Sequence, residues 1–308
     1  MIYDFVVMNE KVISRRGFSL DRLAGFCAVA DAGSIVGAAR GDVVRQSLLS
    51  RQIRELAECF ETELVRRQGR GLVLTDAGRE LAALGRSQLA ALDDFAAAGS
   101  QRPVRVTIAA PESAYQWIIL PRLAALRDAA PRATFAIHHE DNDAIAPRVT
   151  EGVYDFGFVR RTPERGEKGI APLGHFEYVL AAPRALVRGR EWTLPQALKN
   201  LPLALPIAGK MREAIDAFAA KESIPHLTVP LDYTSYMHAA AALRSGACAA
   251  VLPSVALAEV PAEKFATWSL SPLKLERPPY SLIWSQRSAA VRPVVASLAQ
   301  AMPSILAF

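Results

Sequence analysis

The stretch from Ser34 to Gly78 constrains the fold more tightly than any other part of this 308-residue chain. It opens on small residues, Gly37-Ala38-Ala39, with Ser34 before them and Gly41-Asp42 after. A serine hydroxyl can accept from the free amides at a helix start, so a short helix is expected over 35–40, capped by Ser34 and broken at Gly41-Asp42. A longer helix is expected over 46–60. There Leu49, Ile53, Leu56 and Phe60 recur at i, i+4, i+7 and i+11 and share one buried face, which leaves Ser47, Arg51, Arg54 and Glu58 on the other side. Two short strands should follow, near 64–67 and 72–75, joined by Gly69-Arg70-Gly71, because glycine reaches the positive-φ backbone that tight hairpins need. Thr75 can cap the next helix, and Asp76 suits the positive end of its dipole. A small helix, a tight break, an Arg-studded amphipathic helix and a basic hairpin together predict a unit that reads DNA.

The flanking pattern divides the chain. A helix is expected over 20–32, with Leu20, Leu23, Ala24, Cys27 and Ala30 on one stripe, while 1–18 carries no clear element. A helix over 76–97 sets Leu81, Leu84, Leu92 and Phe95 along a seam that Gln88 interrupts. Residues 98–103 read as a linker. Beyond it, strands over 104–109, 134–139, 155–160, 177–182, 203–206, 228–231 and 248–252 alternate with helices over 118–129, 144–151, 194–199, 212–221 and 236–245. That alternation predicts α/β architecture with mostly parallel sheets.

Bulk properties narrow the partners. The net charge of +5 is compatible with nucleic acid but does not specify it, because Lys and Arg barely outnumber Asp and Glu in residues 1–102. A DNA footprint must therefore arise from local clustering. Cys27, Cys59 and Cys248 are too few and too far apart for a disulfide framework or metal spacing, which fits a reducing compartment. No apolar run is long enough to span a bilayer, and Met1–Val7 is too short for a signal peptide. A soluble cytoplasmic protein with no membrane partner is expected.

These residues resemble the LysR-type transcriptional regulators over about 19–305. The resemblance rests on Ser34, Ala38-Ala39, Gln46, Ser50-Arg51-Gln52-Ile53, Arg67, Arg70, Leu74-Thr75 and Ala77-Gly78. Looser matches are Leu120-Pro121, Pro131, Gly152 to Gly157, and Leu243-Arg244-Ser245-Gly246 through Val251-Leu252-Pro253. It implies a winged helix-turn-helix over 19–75, a dimerising linker helix and hinge over 76–102, and an effector-binding domain over 103–308. That domain should resemble a two-lobed periplasmic binding protein, with one lobe about 103–161 and 268–308 and the other about 162–267. The chain departs from the family pattern at Asp42 (usually Leu), Arg45 (often Ser), Ala57 (Glu), Glu61 (Gly), Val65 (Phe) and Cys248 (commonly Gly). An unpaired buried carboxylate is costly, so Asp42 should point outward or cap a helix. The departures imply an operator other than the family-average sequence.

The DNA-contacting candidates are Ser34, Arg45, Gln46, Ser47, Ser50, Arg51, Arg54, Arg67 and Arg70. Arg can pair bidentately with guanine and Gln with adenine, and a helix-turn-helix places such contacts at the start of its second helix. The free amides after Ser34 can meet a phosphate. Arg66, Arg67 and Arg70 put positive charge on or near the wing, where contacts position the protein without reading sequence. Taken alone, Arg51, Arg54 and Glu58 are a solvated helix face; the order of cap, helix and wing around them favours DNA.

A cleft between two αβ lobes, at strand C-termini and helix N-termini, suits a small polar metabolite. Candidate effector contacts are Ser113, Tyr115, Arg160, Arg161, Gly209, Lys210 and Ser235, and their charge favours an anion. No cofactor and no metal site are expected. His138 and His139 would point to opposite faces of a strand, and the run from Ala204 to Lys210 lacks the first glycine of a phosphate loop. No catalytic constellation can be named, so an enzyme is not expected. The leading reading is a regulator that binds promoter or operator DNA as a homodimer or homotetramer and responds to a metabolite. Its rivals are a solute-binding or sensory module with a degenerate DNA-binding head, and an enzyme on the two-lobed scaffold.

Overall fold

The computed structural model describes residues 17–68, 71–259, 262–275 and 279–308. The segment 1–16 and the wing residue Arg70 lie outside the described residues.

The head starts with α1 (Leu20–Ala32), which Ser19 caps by accepting from the Arg22 amide and Gly33 ends at φ 63°. Next come α2 (Ile35–Ala39) and α3 (Val43–Cys59). Phe26, Val29, Leu49, Ile53 and Leu56 meet in one core with Leu64 and Ala82. The expected stripe on α1 is rotated: Phe26 and Val29 are fully buried, whereas Leu20 and Ala24 are exposed. A phenylalanine removes more apolar surface from water than either displaced residue, so its ring takes the centre. The wing pairs β1 (Val65–Gln68) with β2 (Gly71–Leu74) antiparallel.

The wing leads into α4 (Asp76–Gly99), capped by Thr75, whose side chain accepts from the Gly78 amide. A Cβ at Gly78 would sit 2.0 Å from the Leu64 carbonyl oxygen, so only glycine lets the helix start against the wing.

The remaining chain builds two mixed sheets. The first orders β4-β3-β5-β12-β6, with β3 (Val104–Ala110), β4 (Ala133–His139), β5 (Phe156–Arg160), β6 (Ile170–Gly174) and β12 (Tyr280–Trp284). The second orders β11-β7-β10-β8-β9, with β7 (Tyr178–Pro183), β8 (Leu203–Pro206), β9 (Leu231–Tyr233), β10 (Ala249–Pro253) and β11 (Phe265–Ser269). Neither sheet is mostly parallel, as alternation alone suggested. In the first, β12 runs antiparallel to β5 and β6; in the second, β7 runs antiparallel to β10 and β11. Returning strands fill places that simple βαβ succession would leave open.

The lobe boundaries shift accordingly. Because β6 pairs with β12, the first lobe extends to Gly174, and the crossover lies between 174 and 178, not at 161–162. The return follows Ser269, since β11 still belongs to the second sheet. Pro172 hides β6 in the sequence; an edge strand tolerates a residue that cannot donate to the ladder.

Helices cover both sheets. In the first lobe they are α5 (Glu112–Ala114), α6 (Leu123–Ala129), α7 (Asn142–Thr150), α12 (Gln286–Val291) and α13 (Pro293–Leu306). In the second they are α8 (Arg184–Val187), α9 (Leu194–Asn200), α10 (Lys210–Lys221) and α11 (Tyr236–Arg244). The helix expected over 118–129 is broken into a π-turn at Tyr115–Ile119 and a 3-10 turn at Leu120–Arg122 before α6. Pro121 cannot donate to an α-helical ladder.

One face of α4 docks on the first lobe. Arg292, 4% exposed, donates to Asp94 of α4 at 2.7 and 3.2 Å, to Asp155 at 2.6 Å and to the Arg105 carbonyl at 2.7 Å. Asp155 also accepts from the Thr107 amide and hydroxyl. Further along, Arg86 donates to the Glu151 carbonyl and Arg287 to the Glu80 carbonyl. The opposite face leaves Leu84, Leu92 and Phe95 exposed, Phe95 by 80%.

Candidate nucleic-acid interface and ligand cleft

Helix α3 starts one turn earlier than expected. Asp42 accepts from the amides of Val44 (2.9 Å) and Arg45 (3.1 Å), which satisfies two of the free donors at the helix start. Its carboxylate thus caps, one of the two places expected for it. Arginine cannot cap, so with Arg45 at the fourth position the cap falls to Asp42 and α3 gains Val43 to Arg45 as its first turn.

Leu49, Ile53 and Leu56 are buried on one side of α3, while Ser47, Arg51 and Arg54 are exposed on the other. Arg45 is exposed at the tip. Gln46 and Ser50 lie on the half-buried flank. Ser34 accepts from the Gly37 amide at 3.0 Å, so it caps α2 as expected. Arg51 lies 3.8 Å from Glu55, which is held more closely by Arg22 at 2.6 Å. Arg45 and Arg54 have no ion-pair partner among the described residues. Arg66 is paired with Glu63 at 2.7 Å, and Arg67 is exposed on β1. A set of guanidinium groups thus surrounds the exposed face of α3. The pattern reading missed three exposed apolar residues there: Val43, Val44 and Leu48. Their signal was available, since none of them falls on the Leu49–Ile53–Leu56 stripe.

A cleft of about 760 Å³ lies between the lobes. It brings together three of the candidate contacts, Arg160 and Arg161 from the end of the first lobe's β5 and Lys210 from the start of α10. The other four sit elsewhere. Gly209 precedes α10 at φ 91° and frees that turn. Ser113 bonds the Tyr280 phenol, and Tyr115 packs against the main core. Ser235 caps α11, accepting from the Met237 amide, and donates its hydroxyl proton to Glu112 of the first lobe.

Arg161 is turned onto Glu167, with both guanidinium nitrogens on both carboxylate oxygens at 2.7 and 2.5 Å. Those two bonds, with a third from the Glu164 amide, hold the Glu167 carboxyl at about 2. Arg160 is not so engaged. Its guanidinium lies 5.5 Å over the Tyr280 ring, beside Tyr178 and Tyr236. Burial pushes the phenols of Tyr233, Tyr236 and Tyr280 upward, so they stay neutral. Tyr178, Tyr233 and Tyr236 line the cleft but carried no pattern in the sequence, because they come from separate elements. Asp143, at the start of α7, adds a carboxylate to its wall.

Among the described residues no cluster of three or more His, Cys, Asp or Glu side chains could hold a metal ion, and no helix is long and apolar enough to cross a membrane. All three cysteines are buried and unbridged.

Comparison with known proteins follows the same division. Residues 20–79 match the profile of the bacterial regulatory helix-turn-helix protein, lysR family, and residues 99–303 that of the LysR substrate binding domain. Over 188 residues the chain is 29% identical to a probable hydrogen peroxide-inducible genes activator of Mycobacterium avium, a match covering 59% of this chain and 60% of that relative's length. Full-length CbnR in complex with its target DNA superposes with a TM-score of 0.51 at 21% identity, covering 92% of this chain and 99% of CbnR. LysG of Corynebacterium glutamicum, solved with bound effector Arg, gives a TM-score of 0.58 at 18% identity, covering 92% of this chain and 99% of LysG. At those identities the structural likeness speaks for the fold.

Proposed function

The chain belongs to the LysR family of bacterial transcriptional regulators, and from that premise we propose that it binds promoter DNA sequence-specifically through α3 and the wing, under control of a small anion bound between its lobes. The observation that carries the DNA reading is the split of α3 into a buried Leu49–Ile53–Leu56 face and an exposed Ser47–Arg51–Arg54 face, capped toward the DNA by Asp42. Such a helix fits the major groove, and the arginines on the wing are placed for backbone phosphates. CbnR, which shares the fold, is solved with its target DNA. The test is retardation of the chain's own upstream promoter fragment. Binding should fall steeply with salt and be lost in Arg45→Ala with Arg51→Ala; weak sequence-independent binding that the double variant leaves unchanged refutes it.

For the cleft, Arg160 of the first lobe and Lys210 of the second face the same space, which suits an anion whose binding favours one lobe arrangement over another. Calorimetry with a panel of small carboxylates should find a ligand whose affinity drops in Arg160→Ala; a ligand indifferent to Arg160→Ala and Lys210→Ala refutes this part. The exposed Leu84, Leu92 and Phe95 on α4 support self-association through that helix, as a dimer or a tetramer of dimers. A DNA partner supports a cytoplasmic location.

A further inference from the structure

We infer that Val43 and Val44, with Leu48, read the C5-methyl groups of thymine on the floor of the major groove. The inference rests on the DNA-binding reading and names the chemistry that this helix recognises.

Val43 is 72% exposed and Val44 80%, in the first turn of α3, and Leu48 is 41% exposed one turn on. Valine is a poor choice for the outside of a helix; it loses rotamer freedom there and gains no burial. None of the three belongs to the head's core or packs against it. Among the described residues of the head, nothing therefore accounts for three branched apolar side chains at this tip.

Their placement selects the occupant. Val44, Ser47, Leu48 and Arg51 stand at i, i+3, i+4 and i+7 and form one exposed ridge, with Val43 beside Ser47 on the neighbouring one. Arg51 ends this ridge, Arg45 and Arg54 lie to either side of it, and Arg67 adds positive charge on the wing. An apolar centre inside a ring of guanidinium groups is complementary to a polyanion with apolar groups at the bottom of its groove. The major groove of DNA has that form, because each thymine carries a methyl group among base edges that otherwise present hydrogen-bonding atoms. In a helix-turn-helix the first residues of the second helix reach the base edges. The Asp42 cap pushes two valines into that position and leaves Arg51 and Arg54 two turns further back.

The test begins by selecting a bound sequence from randomised duplexes with the full-length protein. Each thymine is then replaced singly by deoxyuridine, which pairs identically and lacks only the methyl group. In the wild type, one or two positions per half-site should lose affinity about fourfold, the factor for removing one buried methyl-sized group. In Val43→Ser with Val44→Ser, and separately in Val43→Gln with Val44→Gln, the penalty at the positions facing the two valines should disappear while non-specific binding stays unchanged. Both variants change only exposed positions, and serine and glutamine are ordinary helix residues, so folding is not at risk. A wild-type protein that ignores every deoxyuridine overturns the inference, as does a penalty that survives in both variants. Variants with an unchanged deoxyuridine profile but lost transcription also overturn it and assign the patch to a protein partner. If no duplex is enriched at all, the DNA-binding reading itself fails, a result distinct from the others.

Discussion

Arg292 joins the linker helix to the first lobe, and its removal should have a graded, directional effect. Its guanidinium bridges Asp94 on α4 and Asp155 at the start of β5, with the Arg105 carbonyl as a fourth contact. The Asp94 and Asp155 side chains are only 15% and 7% exposed. Removing one partner of a buried pair leaves a charge uncompensated and costs about 3–5 kcal/mol. Arg292→Met should fall near the lower end of that range, because Asp155 keeps both bonds from Thr107. Asp94→Ala should cost less, about 1.5–3 kcal/mol, since Arg292 retains Asp155 and the carbonyl. The two variants should also differ in where the loss appears. Asp94 lies on the helix and the other three groups lie in the lobe. Asp94→Ala should therefore speed proteolysis and amide exchange in α4 and the 100–103 hinge while leaving the lobe's urea midpoint nearly unchanged. Arg292→Met should lower that midpoint as well. With several cooperative units present, each probe must be followed separately. Equal loss of lobe stability in both variants, or no change in hinge cleavage in either, refutes the account of Arg292 as the tie between helix and lobe.

Four further outcomes are expected. Asp42→Ala removes a cap worth about 1 kcal/mol, so amide exchange at Gln46 and Ser47 should rise about fivefold, whereas Asp42→Asn keeps the cap and the slow exchange. Gly78→Ala forces a Cβ against the Leu64 carbonyl and should destabilise the head by at least about 2 kcal/mol in thermal melts of the full chain. Glu61 holds φ 52°, a left-handed conformation that costs an ordinary residue about 1–2 kcal/mol, so Glu61→Gly should melt higher than Glu61→Ala, which loses the same side chain but keeps the strain. Phe95→Asp should shift sedimentation of the full chain to a smaller species without altering its circular dichroism.

The head was legible because its signals are local. The Ser34 cap, the Leu49–Ile53–Leu56 stripe and the Thr75 cap each act within a few residues. The Asp42 cap was half legible: a carboxylate with no buried role had to cap or face water, but where it would start the helix depended on Arg45 as well. The cleft was less legible. Arg160 and Lys210 stood out by charge, but the tyrosines beside them gain meaning only when β7, β9 and α11 are brought together. Strand β6 was hidden by Pro172, and its partner β12 lies over a hundred positions away in the chain. The Arg292 contacts follow the same rule, since they join residues 137 and 198 positions apart. Closure over such distances is decided by packing, which periodicity does not encode.

The bond from Ser235 to Glu112 joins the two lobes beside the cleft. A carboxylate of one lobe already rests on the hydroxyl that caps a helix of the other. An effector that binds only an arrangement in which the lobes part at this contact must first break it. The observed affinity of such an effector equals its intrinsic affinity scaled by the fraction of molecules in which Glu112 has let go. The response to such an effector would then be tunable at Glu112 without touching the residues that line the cleft.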